Sequence, residues 1–316
     1  VDWTALGVSL DDINYIEVVR GPNVATQGSN AFLGAINIIT YTPLEQSGTA
    51  IRTTQGSLKT QEYALRHNDK IGSFNYRLSL NYHKNRSTGV GYDRGDDFYA
   101  RIDDGAEITQ LNLHGVYTPT LQDSLMVQLG LSDGQKGVGR AHNPDEFTDR
   151  EVQANYQNLS WERTLNPEQK FRLQLNHNRY DYRNEEPILL SDLLVREIGA
   201  FAGAPLSVIE GFIGSVTGGE PNQLVDEGNE TGVTERYDLE LQFQQEWSPE
   251  LRLVAGAGVR QDRFTSLVNL GTTSTVQSTS PRLFGNLAWH LAPNWIANLG
   301  AMLEHNPDPG ARLSPR

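Results

Sequence analysis

From residue 48 onward the chain alternates apolar and polar residues with period two over long stretches, and this limits its fold more than any other feature. Between Phe74 and Tyr82 one face reads Phe74, Tyr76, Leu78, Leu80, Tyr82, and the other Asn75, Arg77, Ser79, Asn81, His83. Between Val233 and Trp247 one face carries Tyr237, Leu239, Leu241, Phe243 and Trp247, backed by Arg236, Asp238, Glu240, Gln242, Gln244 and Glu246. Similar stripes run through Leu121–Leu131, Leu251–Val259, Leu283–Leu291 and Trp295–Leu303. Successive strand side chains point to opposite faces, so each stripe is an apolar surface backed by a polar one.

A soluble sandwich also alternates. Two observations favour a membrane barrel. Most of the strands run ten residues or more, against a usual length of about 5–6. The connections are also unequal. One set is short and proline-marked, at Pro119, Pro167, Pro249 and Pro293; between these turns lie long polar excursions near 84–106, 133–150, 184–232 and 265–278. Short turns at one rim and long loops at the other are the layout of outer-membrane barrels, whereas a loop of about fifty residues counts against a small soluble domain. Tyr117, Trp161, Trp247, Trp289 and Trp295 lie close to the proline turns and read as one interfacial girdle. Tyr76, Tyr82, Tyr180 and Tyr182 lie nearer the opposite strand ends. The pattern predicts about eleven strands, roughly 48–57, 60–69, 72–84, 106–118, 121–132, 150–165, 168–183, 233–247, 250–264, 279–292 and 294–304, and the start of a twelfth. A slip of apolar phase between Tyr156 and Leu159 predicts a β-bulge.

Composition excludes several alternatives. Cysteine is absent, which removes disulfides and thiolate metal sites. A formal charge of −13 argues against nucleic acid as a partner. No apolar run approaches the ~20 residues of a membrane helix, so any span is made of strands. Val1 follows no recognisable leader, and the sequence reads as a piece of a longer protein.

Residues 14–40 carry the most specific pattern. Two β-type runs, Tyr15–Val19 and Ala35–Thr40, flank a loop punctuated by Gly21-Pro22, Gly28 and Gly34. No Gly-Lys-Ser/Thr follows these glycines, so the phosphate-binding loop chemistry is missing. Taken alone, the stretch also fits a glycine-rich hairpin of a soluble protein. Its order and spacing, however, resemble the end of the plug domain of TonB-dependent outer-membrane receptors. Ile16-Glu17-Val18, Arg20-Gly21-Pro22, Gly28, Gly34 and Ile36-Asn37-Ile38 carry the likeness, and Gln27 departs from the aromatic residue common before the middle glycine.

The resemblance implies an all-β fold: a membrane β-barrel fragment of antiparallel transmembrane strands with a small mixed plug segment. It divides the chain into the C-terminal part of a plug (1–43) and the first half of a barrel wall (44–316). The family closes about twenty-two strands around its plug. It also implies active uptake of a scarce nutrient, most often a ferric siderophore, with cobalamin or haem as alternatives inside the same fold and a passive porin outside it. TonB, a small-molecule metal chelate and outer-membrane lipid are the implied partners, at the outer membrane of a Gram-negative bacterium, with no cofactor. The TonB box and a signal peptide are expected before Val1. Glu17, Arg20, Gly21, Pro22, Gly28, Gly34 and Asn37 become structural or gating residues of the plug.

Arg77, Arg172, Arg236, Glu240, Arg252 and Arg260 lie on polar faces and are expected to point into the lumen, where they can pair with the plug and each other. Tyr92, Asp93, Asp96, Asp97 and Tyr99 form an acidic, aromatic group in one long loop, a candidate ligand-facing surface. A Ca²⁺ site there is one reading and a solvated surface the other. His83, His114 and His290 are also lumen-facing, as haem ligands or as ordinary polar residues. No Gly-x-Ser-x-Gly or His-Glu-x-x-His occurs, and a transporter is expected rather than an enzyme.

Overall fold

The computed structural model describes residues 7–20, 34–43, 45, 47–86, 104–140, 143–189, 191, 203–217, 224–292, 294–307 and 310–315. A short 3-10 turn (Leu10–Asp12) leads into strand β1 (Ile13–Arg20), which pairs antiparallel with β2 (Gly34–Thr40) as a sheet of its own. The remaining strands are β3 (Gly48–Gln55), β4 (Gln61–Ile71), β5 (Phe74–Asn85), β6 (Ala106–Tyr117), β7 (Asp123–Arg140), β8 (Asn143–Asn166) and β9 (Gln169–Leu189). They continue as β10 (Leu224–Ser248), β11 (Leu251–Ser266), β12 (Thr272–Ala292), β13 (Trp295–Asn306) and β14 (Gly310–Pro315). These twelve form one antiparallel sheet in chain order, each strand beside its sequence neighbour.

All eleven strands that the alternation predicts are present, and the start of a twelfth is β14. Because consecutive strands run antiparallel, the turns at Pro119, Pro167 and Pro249 share one rim, and the longer connections share the other. Pro293 lies outside the described residues. Tyr117, Trp247, Trp289 and Trp295 are exposed near the proline rim, beside a band of exposed Leu78, Leu111, Leu129, Leu159, Leu175 and Leu241. That apolar band is the outer face of the sheet. The inner face is the one on which residues 7–12 lie.

Four expectations need correction. The segment 133–150 is no loop: β7 and β8 run on past the apolar band, pairing from Asp123↔Arg163 to Val138↔Thr148. Likewise β9 reaches Leu189 and β10 begins at Leu224, so the excursion between them is shorter than 184–232 and contains helix α1 (Leu206–Thr217). Near 265–278 the chain makes one short helix, α2 (Leu267–Leu270), capped at its start by the Ser266 hydroxyl and closed by Gly271 in the left-handed region. The strands extend so far because backbone pairing persists where no apolar stripe is needed.

The fourth correction is the bulge. The β7–β8 and β8–β9 ladders pass through Tyr156–Trp161 without a register shift. The apolar phase slips there because Tyr156 lies on the inner face, packed between the wall and the N-terminal segment. A side chain at Gly7 would start 2.9 Å from the Tyr156 ring, and one at Gly130 would overlap it.

Candidate functional site

The glycine-punctuated motif builds a two-stranded ribbon. Ile16 stands opposite Ile38 and Val18 opposite Ile36, which gives one apolar face; Glu17 stands opposite Asn37 on the other. The Asn37 amide donates to Glu17 Oε2 at 2.9 Å, so a side-chain hydrogen bond ties the two halves of the motif together. Arg20 pairs with Gly34, where a Cβ would come 2.5 Å from the Val19 carbonyl oxygen. That close approach is the physical reason for glycine at this position. Gly21, Pro22 and Gly28 lie outside the described residues, as do Tyr92, Asp93, Asp96, Asp97 and Tyr99.

The segment before this ribbon is seated on the wall by charge. Arg77 Nη2 meets Asp12 Oδ1 at 2.6 Å and Nε reaches the same oxygen at 3.1 Å, while Nη2 also donates to the Asp11 carbonyl. Ser79 donates to Asp12 Oδ1 at 2.8 Å, and the Arg77 guanidinium lies 5.4 Å above the centre of the Tyr41 ring. Both partners are buried, Asp12 at 5% and Arg77 at 3% exposure. Arg52 adds a more exposed pair with Asp11 at 2.7 Å. The period-two pattern places Arg77 on the inner face, but nothing in the sequence points to Asp12 as its partner.

Further round the inner face the charges pair with each other across strands. Arg282 on β12 grips Asp238 on β10 through two bonds of 2.8 and 2.9 Å and donates to Glu240 at 2.7 Å. Arg260 on β11 meets Glu304 on β13 at 3.0 Å, and Arg236 meets Asp262 at 2.5 Å. Arg236, Glu240 and Arg260 thus fall in the cross-strand network expected of them, and Arg282 and Glu304 complete it. Charges stacked on one face of a sheet need this alternation, because like charges directly opposite one another repel.

Towards the long-loop rim the inner face turns partly apolar. Ile108 and Val152 are buried, with Tyr180 and Tyr182 packed against them. Tyr182 lies under the Arg150 guanidinium at 4.8 Å and accepts a hydrogen bond from the Asn269 amide at 3.1 Å. Tyr76 and Tyr82 share the outer face with Leu78 and Leu80, and Tyr76, opposite Gly115, lies towards the proline rim instead of the opposite one, whereas Tyr180 and Tyr182 share the inner face with Tyr156. These last two therefore form no outer girdle.

Above the apolar band the outer face changes abruptly to polar and ionic groups. His177 stacks on Tyr237, bonds to Gln157 and faces Glu235 at 3.4 Å; Arg179 clamps Asp181 at 2.8 and 2.9 Å. His83 contacts Glu62 at 3.2 Å, His114 stands opposite Arg77, and His290 opposite Ile296, so the three histidines are not brought together. Among the described residues no group of three His, Asp or Glu is placed to hold a metal ion.

No protein-family model matches the chain. Solved structures do. The siderophore receptor PirA from Acinetobacter baumannii aligns with a TM-score of 0.68 at 18% identity over 96% of this chain and 45% of its own. A variant of the ferric enterobactin receptor PfeA from Pseudomonas aeruginosa gives 0.71 at 14% identity over 98% of this chain and 46% of its own. The ferric-catecholate import receptor Fiu from Escherichia coli K12 gives 0.67 at 12% identity over 96% and 50%. The fold is that of the siderophore receptors. The chain spans about half the length of each of these structures. In that alignment the twelve-stranded sheet corresponds to part of the barrel of those structures.

Proposed function

We propose that the chain is the end of the plug (1–43) and about half of the barrel wall (44–316) of a TonB-dependent outer-membrane receptor. Its work is the energised import of a metal chelate of the siderophore class. The observation that carries this reading is the buried Asp12–Arg77 pair, which fastens a motif-bearing segment to the polar face of a sheet whose other face is apolar. A passive porin needs an open, water-filled lumen, and here part of the inner face is occupied. An apolar outer band with unpaired edges in lipid would leave backbone groups unsatisfied, so the remaining wall must close the sheet. Tyr182, Arg150 and Tyr180, at the long-loop rim, offer an aromatic and cationic surface suited to an anionic aromatic chelate.

The test is uptake. Gram-negative cells that express the intact gene should accumulate a radiolabelled ferric chelate, and should stop doing so when TonB is deleted. Accumulation that ignores TonB would favour a passive channel instead.

A further inference from the structure

Beside the Asp12–Arg77 pair the segment and the wall line a small, partly open cavity of about 20 Å³, with Tyr41, Asn112, His114 and Tyr156 among its lining. Five atoms of its lining residues make no hydrogen bond to protein: Asp12 Oδ2, Arg77 Nη1, Asn112 Nδ2 and the two ring nitrogens of His114. Asp12, Arg77 and Asn112 are more than nine-tenths buried, with Asn112 at 8% exposure. On these three residues two of the atoms are donors and one is a charged acceptor. Leaving such groups bare is unfavourable, and most so where they are charged.

We propose that this cavity is a binding site for one structural water. The volume fits, since a water needs about 10–15 Å³ of accessible space and two to four polar partners. The donor count also fits. The water donates one proton to Asp12 Oδ2 and accepts from Asn112 Nδ2 and Arg77 Nη1, which leaves its second proton for another lining group. Asp12 then has both oxygens engaged: Oδ1 by Arg77 and Ser79, Oδ2 by water. Asn112 is fixed in place because its Oδ1 accepts from the Tyr156 hydroxyl at 3.1 Å, which turns the amide nitrogen to the cavity side. The seat is therefore hydrated at its most buried ion pair, and the segment can part from the wall by exchanging protein contacts for water. The site follows from the packing alone and does not depend on what the protein transports.

The experiment is a crystal structure of the intact protein in detergent, at a resolution that orders water molecules. The expected result is one density peak within ~2.7–3.2 Å of both Asp12 Oδ2 and Asn112 Nδ2. A dry cavity, or a map in which Asp12 Oδ2 bonds instead to a protein donor, overturns the proposal. Asn112→Leu, similar in size and without hydrogen-bonding groups, should remove the peak while the Asp12–Arg77 contact stays. A peak unchanged in that variant would equally overturn it. Should the variant not fold, the map of the unaltered protein decides alone.

Discussion

Arg77 and Asp12 are 65 residues apart in sequence and meet through two hydrogen bonds to a single carboxylate oxygen, of 2.6 and 3.1 Å. The pair joins the residues just before β1 to the third strand of the wall, and both charges are buried. A buried pair has already lost its hydration, so removing one partner strands the other.

We expect Arg77→Ala to weaken docking of the N-terminal segment by about 3–5 kcal/mol. Arg77→Met with Asp12→Leu should recover most of that loss, because no charge is left unpaired. Limited proteolysis within residues 7–43, compared with heat-modifiable gel mobility of the wall, separates the two effects. Equal damage in the single and double variants would mean that the contact is steric and not ionic.

The ribbon makes a sharper local demand. With the Val19 oxygen 2.5 Å from any Cβ at Gly34, the change Gly34→Val should force β1 and β2 apart and cost about 2 kcal/mol or more. Ile36→Val, two residues along the same strand, should cost about 0.5–1.5 kcal/mol. Hydrogen exchange at the β1–β2 amides provides the comparison.

Arg282 tests the inner network. Its forked guanidinium serves Asp238 and Glu240 at once, a geometry that an ammonium cannot copy. Arg282→Met should lower wall stability by about 1–3 kcal/mol in urea unfolding from lipid vesicles, and Arg282→Lys should restore less than half of the loss.

Much of the wall was legible in the sequence for one reason: a strand with lipid on one side and polar lumen on the other must alternate. The same reasoning went silent where that contrast ends. Past Leu131 on β7 the outer positions are Asp133, Gln135 and Gly137, so the continued pairing carries no apolar stripe and reads as loop. Tyr156 looked like a phase error because an aromatic residue on the inner face mimics a bulge. Asp12 was not legible at all: its importance lies in a contact with a distant strand, and such pairings leave no local signal.

At the proline rim, Asp123 accepts hydrogen bonds from the Thr120 hydroxyl at 2.8 Å and the Trp161 indole at 3.0 Å. The Thr120 bond foremost, then the Trp161 bond, holds the carboxyl below the usual carboxylate range. A carboxyl depressed by folding stabilises the fold above its unfolded pKa of about 3.9, and that contribution fades as pH falls through the folded value. Asp123→Asn should therefore flatten the acid limb of stability against pH and leave neutral stability lower. An acid limb of unchanged slope would mean that the turn holds by backbone geometry alone.

The connection between β9 and β10 provides the last test, since it separates recognition from the wall. Both flanking strands are paired up to their ends, Leu189 opposite Leu224, so the hydrogen-bonded sheet closes without residues 190–223. Replacing 190–223 by a short Gly-Ser turn should leave insertion, heat-modifiability and the β9–β10 ladder intact. It should also weaken chelate binding, because loops at this rim carry recognition while the wall carries stability. Binding of a ferric siderophore, followed by tryptophan fluorescence on the intact protein, reads the loss of binding, and gel mobility reads insertion. If insertion failed while binding persisted, the segment would belong to the wall, and the ligand-facing surface would have to be sought at another connection of the same rim.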